Sequence, residues 1–378
     1  MNILLLPNAF KGVFSSKKVC EMISEVISKA NCNTEVSFLP FSDGGDSTLD
    51  SYRFLYQEKA QEIHLNVCGP DSQQIVESEY LLTEDKTAII ESAKACGFAI
   101  SKKKYALLAT TYGLGQMIIN ALDHQAKEII VGLGGSATND LGCGMLSSLG
   151  VSFFDENKNS FIPNASTLIK VSSIDISKLD KRLKKTKLTI LTDVTNPLLG
   201  PKGATYIFGH QKGISAAMLP EIEKGMTHVS SLITNLISAD YTRNSGAGAA
   251  GGLGFAFISL LNAKSESGSK TLLRQEKLQK LITEAEMIIT GEGKLDNQTL
   301  SGKGVHTICE EIRKNNPDKK LVILYGIAEK ETLDYFHKQF NAIMIDVSSS
   351  DISSKPISET DFKTKLLFFL RNELIIAN

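Results

Sequence analysis

Carboxylates, amides and lysines gather beside glycine in four short stretches of this 378-residue chain: 7–12, 41–48, 132–142 and 291–296. Each follows an apolar run that reads as a strand. The densest is Gly132-Leu133-Gly134-Gly135-Ser136-Ala137-Thr138-Asn139-Asp140-Leu141-Gly142, which leads into a helix-forming segment. Glycines let a backbone approach a ligand and aim its N–H groups at it, and a helix N-terminus adds partial positive charge. This is an anion-binding pattern. Asp43, Asp46, Asp140, Glu292 and Asp296 lie in such loops, and Asp193 follows another strand end. A magnesium ion is held by one or two carboxylates together with phosphate oxygens, and this supply matches that demand. Lys11, Lys212, Lys294 and Lys303 have glycine within two positions and can meet a phosphate at short range.

The elements that position these loops follow from periodicity. Residues 3–6, 35–39, 287–290, 321–324 and 342–345 read as buried strands separated by helical patterns, as in a parallel sheet. Ser15 or Ser16 caps the first helix, and Val19, Met22, Ile23, Val26 and Ile27 share one face of it. Between the two ends the style changes. Residues 61–68, 74–82 and 87–91 are short and partly alternating, with a Gly69-Pro70-Asp71-Ser72 turn, as in antiparallel strands. The reading is α/β with two domains. A doubly wound, Rossmann-like domain is built from both chain ends (1–66 and 270–378), and a second α/β domain with a mixed sheet is inserted (67–269). In open α/β sheets ligands gather beside the carboxyl ends of strands, which is where these loops lie.

Composition narrows the class. Hydrophobic residues make up 42% and charged residues 22%, with 41 basic against 42 acidic side chains for a net charge of −1. That balance argues against nucleic-acid or membrane partners. The six cysteines are scattered without a Cys-x-x-Cys, as expected of thiols in a reducing compartment. There is no signal-peptide pattern and no long apolar span, so a cytoplasmic protein is expected. The six histidines show no ligand spacing, which speaks against zinc; His210 and His306 lie nearest the candidate loops.

Motifs alone leave a tie. No Gly-x-x-x-x-Gly-Lys-Ser/Thr and no Gly-x-Ser-x-Gly occurs. Gly132-x-Gly134-x-x-Ala137 follows a strand, and Asp155 ends the next one, which is the context of an NAD-binding fingerprint. An NAD(P)-dependent oxidoreductase is therefore one reading and a kinase the other. Gly246-x-Gly248-x-x-Gly251 repeats the spacing without a preceding strand, and its glycines fit either a cofactor or close packing.

Eight motifs in order resemble the bacterial type I glycerate kinases. They are Pro7-Asn8-Ala9-Phe10-Lys11-Gly12, Ser42-Asp43-Gly44-Gly45-Asp46-Ser47-Thr48, Thr110-Thr111-Tyr112-Gly113-Leu114-Gly115, Gly134 to Asp140, Asp193-Val194-Thr195-Asn196-Pro197-Leu198, Gln211-Lys212-Gly213, Gly246 to Gly252, and Thr290 to Asp296. The likeness spans nearly the whole chain. Asn8 stands where that family usually has Asp, Asp46 where it has Glu, Ser47 where it has Gly, and His210 where Pro is common. The resemblance implies ATP-dependent phosphorylation of D-glycerate with Mg2+, at the 2-hydroxyl rather than the 3-hydroxyl, with the active site in the cleft between the two domains. On this reading Gly134, Gly135, Ser136, Thr138, Asn139, Lys212, Gly248 and Gly251 hold the nucleotide. Asp193, Asp43 and Lys11 are catalytic, with Asp193 ranked first as base because it follows a strand end. Asp140, Glu292 and Asp296 hold the metal. A homodimer is compatible with the sequence, and a non-catalytic glycerate-binding homologue is a third reading.

Overall fold

The computed structural model describes residues 1–10, 12–30, 34–71, 73–103, 105–300, 304–348 and 357–371. Its strands are, in chain order, β1 (Asn2–Pro7), β2 (Glu35–Phe38), β3 (Ala60–Cys68), β4 (Ile75–Thr83), β5 (Thr87–Glu91), β6 (Glu128–Gly132) and β7 (Ser152–Phe154). There follow β8 (Ser160–Phe161), β9 (Ser173–Asp175), β10 (Lys187–Leu191), β11 (Lys264–Glu266), β12 (Met287–Leu295), β13 (Lys320–Ala328) and β14 (Ile343–Asp346).

The chain divides into two compact units. One comprises 1–43 and 268–378, the other 44–267. In the first unit five strands run parallel in the order β14-β13-β12-β1-β2. From β1 the chain crosses to β2 on one side, and β12 to β14 extend the sheet on the other, so the order reverses between β1 and β12. Parallel strands covered on both faces read as unbroken apolar runs, and Leu4, Leu5, Leu6, Ile288, Ile289, Val322 and Ile323 are all buried. The helix Ser16–Lys29 packs Val19, Met22, Ile23, Val26 and Ile27 inward, and the Ser15 side chain accepts the Lys18 N–H at 3.2 Å as its cap.

The second unit carries a six-stranded mixed sheet in the order β11-β10-β6-β5-β4-β3, in which β4 pairs antiparallel with both β3 and β5 and the remaining pairs are parallel. A separate three-stranded antiparallel sheet, β8-β7-β9, stands beside it. The expected domain crossing at 66/67 is corrected. It would cut through β3, which pairs with β4 from Ala60 to Cys68, so the strand belongs whole to the second unit and the division falls after Asp43. On the return the division falls after Ser267, two residues before the expected point. Among the described residues no helix is long and apolar enough to cross a membrane.

Candidate active-site loops

In the second unit three parallel strands, β5, β6 and β10, end at one edge. Leu133 N–H donates to Leu191 O at 2.9 Å, and Ser92 N–H donates to Gly132 O at 3.0 Å, so their terminal loops start hydrogen-bonded together. The turn after Asp43 lies against this edge. A Cβ on Gly134 would collide with the Gly45 Cα, and one on Gly135 with the Asp46 carboxylate. Backbone thus meets backbone, and only glycine permits it.

The 134–139 loop is braced from behind. The Lys212 ammonium, 5% exposed, donates to Ser136 Oγ at 2.9 Å and to Thr138 O at 2.7 Å. Burial depresses its pKa to about 8. Its charge therefore lies in the wall of the loop and acts through it. Thr138 and Asn139 are fully buried, and Thr138 Oγ1 and Asn139 Oδ1 have no hydrogen-bond partner among the described residues. Buried polar atoms are satisfied in more than nine cases of ten, so two orphans in one glycine loop, with a cation beneath, mark a place prepared for a polar ligand.

Asp140 is not a metal ligand, and that expectation is corrected. It is fully buried, and its carboxylate accepts from Thr111 N at 2.9 Å, Thr111 Oγ1 at 2.8 Å, Gly142 N at 3.1 Å and Gly144 N at 3.2 Å. Four donors saturate it. Burial pushes its pKa up while those hydrogen bonds pull it down. It joins the first turns of two helices, Tyr112–Asp123 and Cys143–Ser148. Thr111 makes no side-chain cap on its own helix. Its hydroxyl donates to Asp140 and accepts the Met145 N–H at 2.9 Å.

Gly248 and Gly251 are packed tightly against neighbouring chain. Both are buried, and a Cβ would strike the Pro197 carbonyl at Gly248 and the Thr138 carbonyl at Gly251. Gly251 O accepts the Leu141 N–H at 3.1 Å. At both positions the missing side chain admits neighbouring backbone. Asp193, which follows β10, is 9% exposed and accepts the Ser267 hydroxyl at 2.6 Å.

The NAD reading fails on topology. β7 does not continue the parallel sheet but pairs antiparallel with β8 and β9, and Asp155 closes the β7–β8 turn by accepting the Asn157 and Asn159 N–H groups. It therefore cannot hold a ribose at the edge where β6 ends. The helix after the loop, Cys143–Ser148, is also shorter than a dinucleotide fold uses.

In the first unit the expected 291–296 loop is a strand. β12 continues through Leu295 and pairs with β13 as far as Leu295 and Ala328. Strand alternation then puts Glu292 and Lys294 on the same face. Glu292 Oε1 accepts the Thr299 hydroxyl at 2.6 Å, Thr299 Oγ1 accepts the Asp296 N–H at 3.3 Å, and Lys294 Nζ lies 2.9 Å from Asp296 Oδ2. Both carboxylates are partly exposed and stand where the strand order reverses, the usual place for a ligand. Their hard oxygens suit magnesium. Asn8 N–H donates to Gly291 O at 2.8 Å, and its buried Oδ1 has no partner among the described residues. Asp43 is half-buried. Lys11 and Lys303 lie outside the described residues.

The histidines near these loops divide. His210 is exposed, whereas His306 is buried, accepts or donates at 3.1 Å with the Tyr335 hydroxyl and stacks on its ring, a packing role. Glu62, His64 and Glu79 have metal-compatible spacing, but Arg53 and Lys94 already pair with their carboxylates. One group that sequence reasoning missed is Glu91. It is 6% exposed at the end of β5, where its carboxylate accepts the Leu49 N–H at 3.0 Å. Its one signal was a charge closing an apolar run.

Strand-end loops of this kind, one rich in glycine and one bearing carboxylates, are the equipment of an α/β phosphotransferase. The glycerate kinase family matches residues 3–361 of the chain. A Bacillus cereus protein named glycerate kinase is 37% identical over 316 residues, covering 83% of this chain and 82% of its own. An Escherichia coli protein named glycerate 2-kinase is 35% identical over 319 residues, covering 83% of each. The crystal structure of a protein given provisionally as glycerate kinase 2, from Salmonella typhimurium LT2, superposes with a TM-score of 0.77 at 29% identity over 100% of this chain and 98% of that one. The chain belongs to the glycerate kinase family, and with it to the kinases that phosphorylate glycerate.

Proposed function

We propose that this enzyme transfers the γ-phosphoryl group of ATP to the 2-hydroxyl of D-glycerate, assisted by magnesium. Family membership over residues 3–361 is the observation that carries the reaction. The 2-position is supported by the E. coli relative, which is named for it.

Phosphoryl transfer requires mainly positioning and neutralisation of charge. The Gly134–Asn139 loop receives phosphate oxygens on its backbone N–H groups, with Gly134, Gly135, Ser136, Thr138 and Asn139 lining it and Lys212 holding positive charge behind it. The orphaned Thr138 and Asn139 oxygens support this role. Asp193 orients the acceptor hydroxyl and takes its proton, with Asp43 as the alternative base. Glu292 and Asp296 would hold the metal, which when bound neutralises charge on the transferred group. Lys11 is assigned to phosphate on its motif alone.

The test is release of ADP by the purified chain with ATP, magnesium and varied D-glycerate. Saturable turnover that needs all three supports the reading. Glycerate binding without turnover under any divalent metal would instead establish a non-catalytic binder.

A further inference from the structure

We infer that Glu91 is a positioning residue for the phosphoryl transfer, tying the turn at Gly44–Gly45 to the strand ends that carry the Gly132–Gly135 loop. This rests on the kinase reading above and deepens it.

The helix Thr48–Tyr56 begins without a cap of its own. Its N-cap residue, Ser47, makes no side-chain cap hydrogen bond and sits in the left-handed region at φ 71°. The N–H of Leu49, in the first turn, is met from another strand by Glu91 Oε2 at 3.0 Å. An ionised carboxylate at a helix N-terminus is favoured by the helix dipole and makes a charge-assisted hydrogen bond. Glu91 is therefore a cap supplied at a distance of 42 residues.

Glu91 is in register with Gly132 of β6, and the next residue, Ser92, donates its N–H to Gly132 O. On the other side of the link, Thr48 Oγ1 donates to Gly45 O at 2.7 Å. A Cβ on Gly132 would strike both Gly44 O and Thr48 Oγ1, so the turn and the loop are already in contact. Glu91 thus holds the turn that packs on Gly134, yet its own carboxylate caps a helix.

The charges that face it are Asp46 on the turn, Asp50 on the helix and Lys94 on the segment after β5. Burial is the largest influence and pushes its pKa up to about 7, with Asp46 and Asp50 adding to the rise and the Leu49 N–H and Lys94 opposing it. Below that value the carboxylate gains a proton and the cap loses its charge.

The measurements are kcat and KM of the full chain for ATP and D-glycerate across the pH range spanning the Glu91 pKa, with amide exchange of Leu49 followed over the same range. The wild type should lose kcat/KM on the acid side. Glu91→Gln should be pH-independent there and lower by about tenfold on the alkaline side, the size of one lost charged cap. Asp50→Asn removes a facing negative charge and should move the acid limb to lower pH. An acid limb unmoved by both variants overturns the inference, as does loss of thermal stability in Glu91→Gln with an unchanged pH profile. If the wild type does not phosphorylate glycerate, the kinase reading fails, and Leu49 exchange alone then decides whether Glu91 holds the turn.

Discussion

The end of β6 and the end of β12 look alike in sequence and differ in construction. Each is a parallel strand that runs out into glycine and carboxylate, Asp140 in one case and Asp296 in the other. Asp140 is fully buried under four donors. Asp296 keeps a fifth of its side-chain surface and pairs with an exposed lysine. The first is buried scaffold beneath a loop, and the second stays partly open at a strand end. What separates the two acidic residues is how much of each carboxylate is left at the surface.

Substitutions should break this comparison open. Asp140→Asn puts an amide among donors and should cost about 3–5 kcal/mol of stability, as when one partner of a buried polar network is lost. Chemical denaturation checks this. Asp296→Asn should leave stability within about 1 kcal/mol and raise the magnesium concentration needed for half-maximal turnover. Equal loss of stability in both variants would erase the distinction.

Asp193→Asn should lower kcat by about 10²–10⁴, the usual contribution of a general base, while ATP affinity stays nearly constant. Activity within a few-fold of wild type would transfer the role to Asp43.

Lys212 gives a smaller effect with a definite sign. Its folded pKa, about 8, lies below its ordinary value of 10.5. Between those values the unfolded chain binds more protons than the folded one, so stability rises as pH rises through that window. Over the same window the loop loses its supporting charge, and KM for ATP should rise. Lys212→Met should flatten both trends, read by thermal melts and by initial rates.

The smallest effect is expected at Ser47. Relief of its left-handed backbone in Ser47→Gly should stabilise the chain by about 1 kcal/mol without changing turnover. The type I glycerate kinases that the 41–48 motif resembles usually have glycine there, and the positive φ is the physical reason.

Legibility in the sequence followed the same divide. Unbroken apolar runs announced the parallel strands, and the early apolar face announced the Ser16–Lys29 helix, because burial on both faces or on one stripe leaves a periodic trace. Three-residue strands such as β11, Lys264–Glu266, leave none. The continuation of β12 through Gly291–Leu295 was masked by glycine and charge, which usually mark a loop. In the site, the glycine spacing pointed to the 134–139 loop, but not to what lay behind it. Two of the four donors on Asp140 come from Thr111, 29 residues upstream, and no local pattern reveals such a contact. Glu91 escaped notice for the same reason, since Leu49 lies on another element.

The most direct test of the reaction is the proton-coupled phosphorus NMR spectrum of the product made from ATP, magnesium and D-glycerate. A phosphate on the 2-hydroxyl couples to one carbon-bound proton and should give a doublet, growing one-for-one with ADP. A triplet, from the two protons at the 3-position, or the absence of any glycerate-dependent phosphate ester, would contradict the proposed reaction.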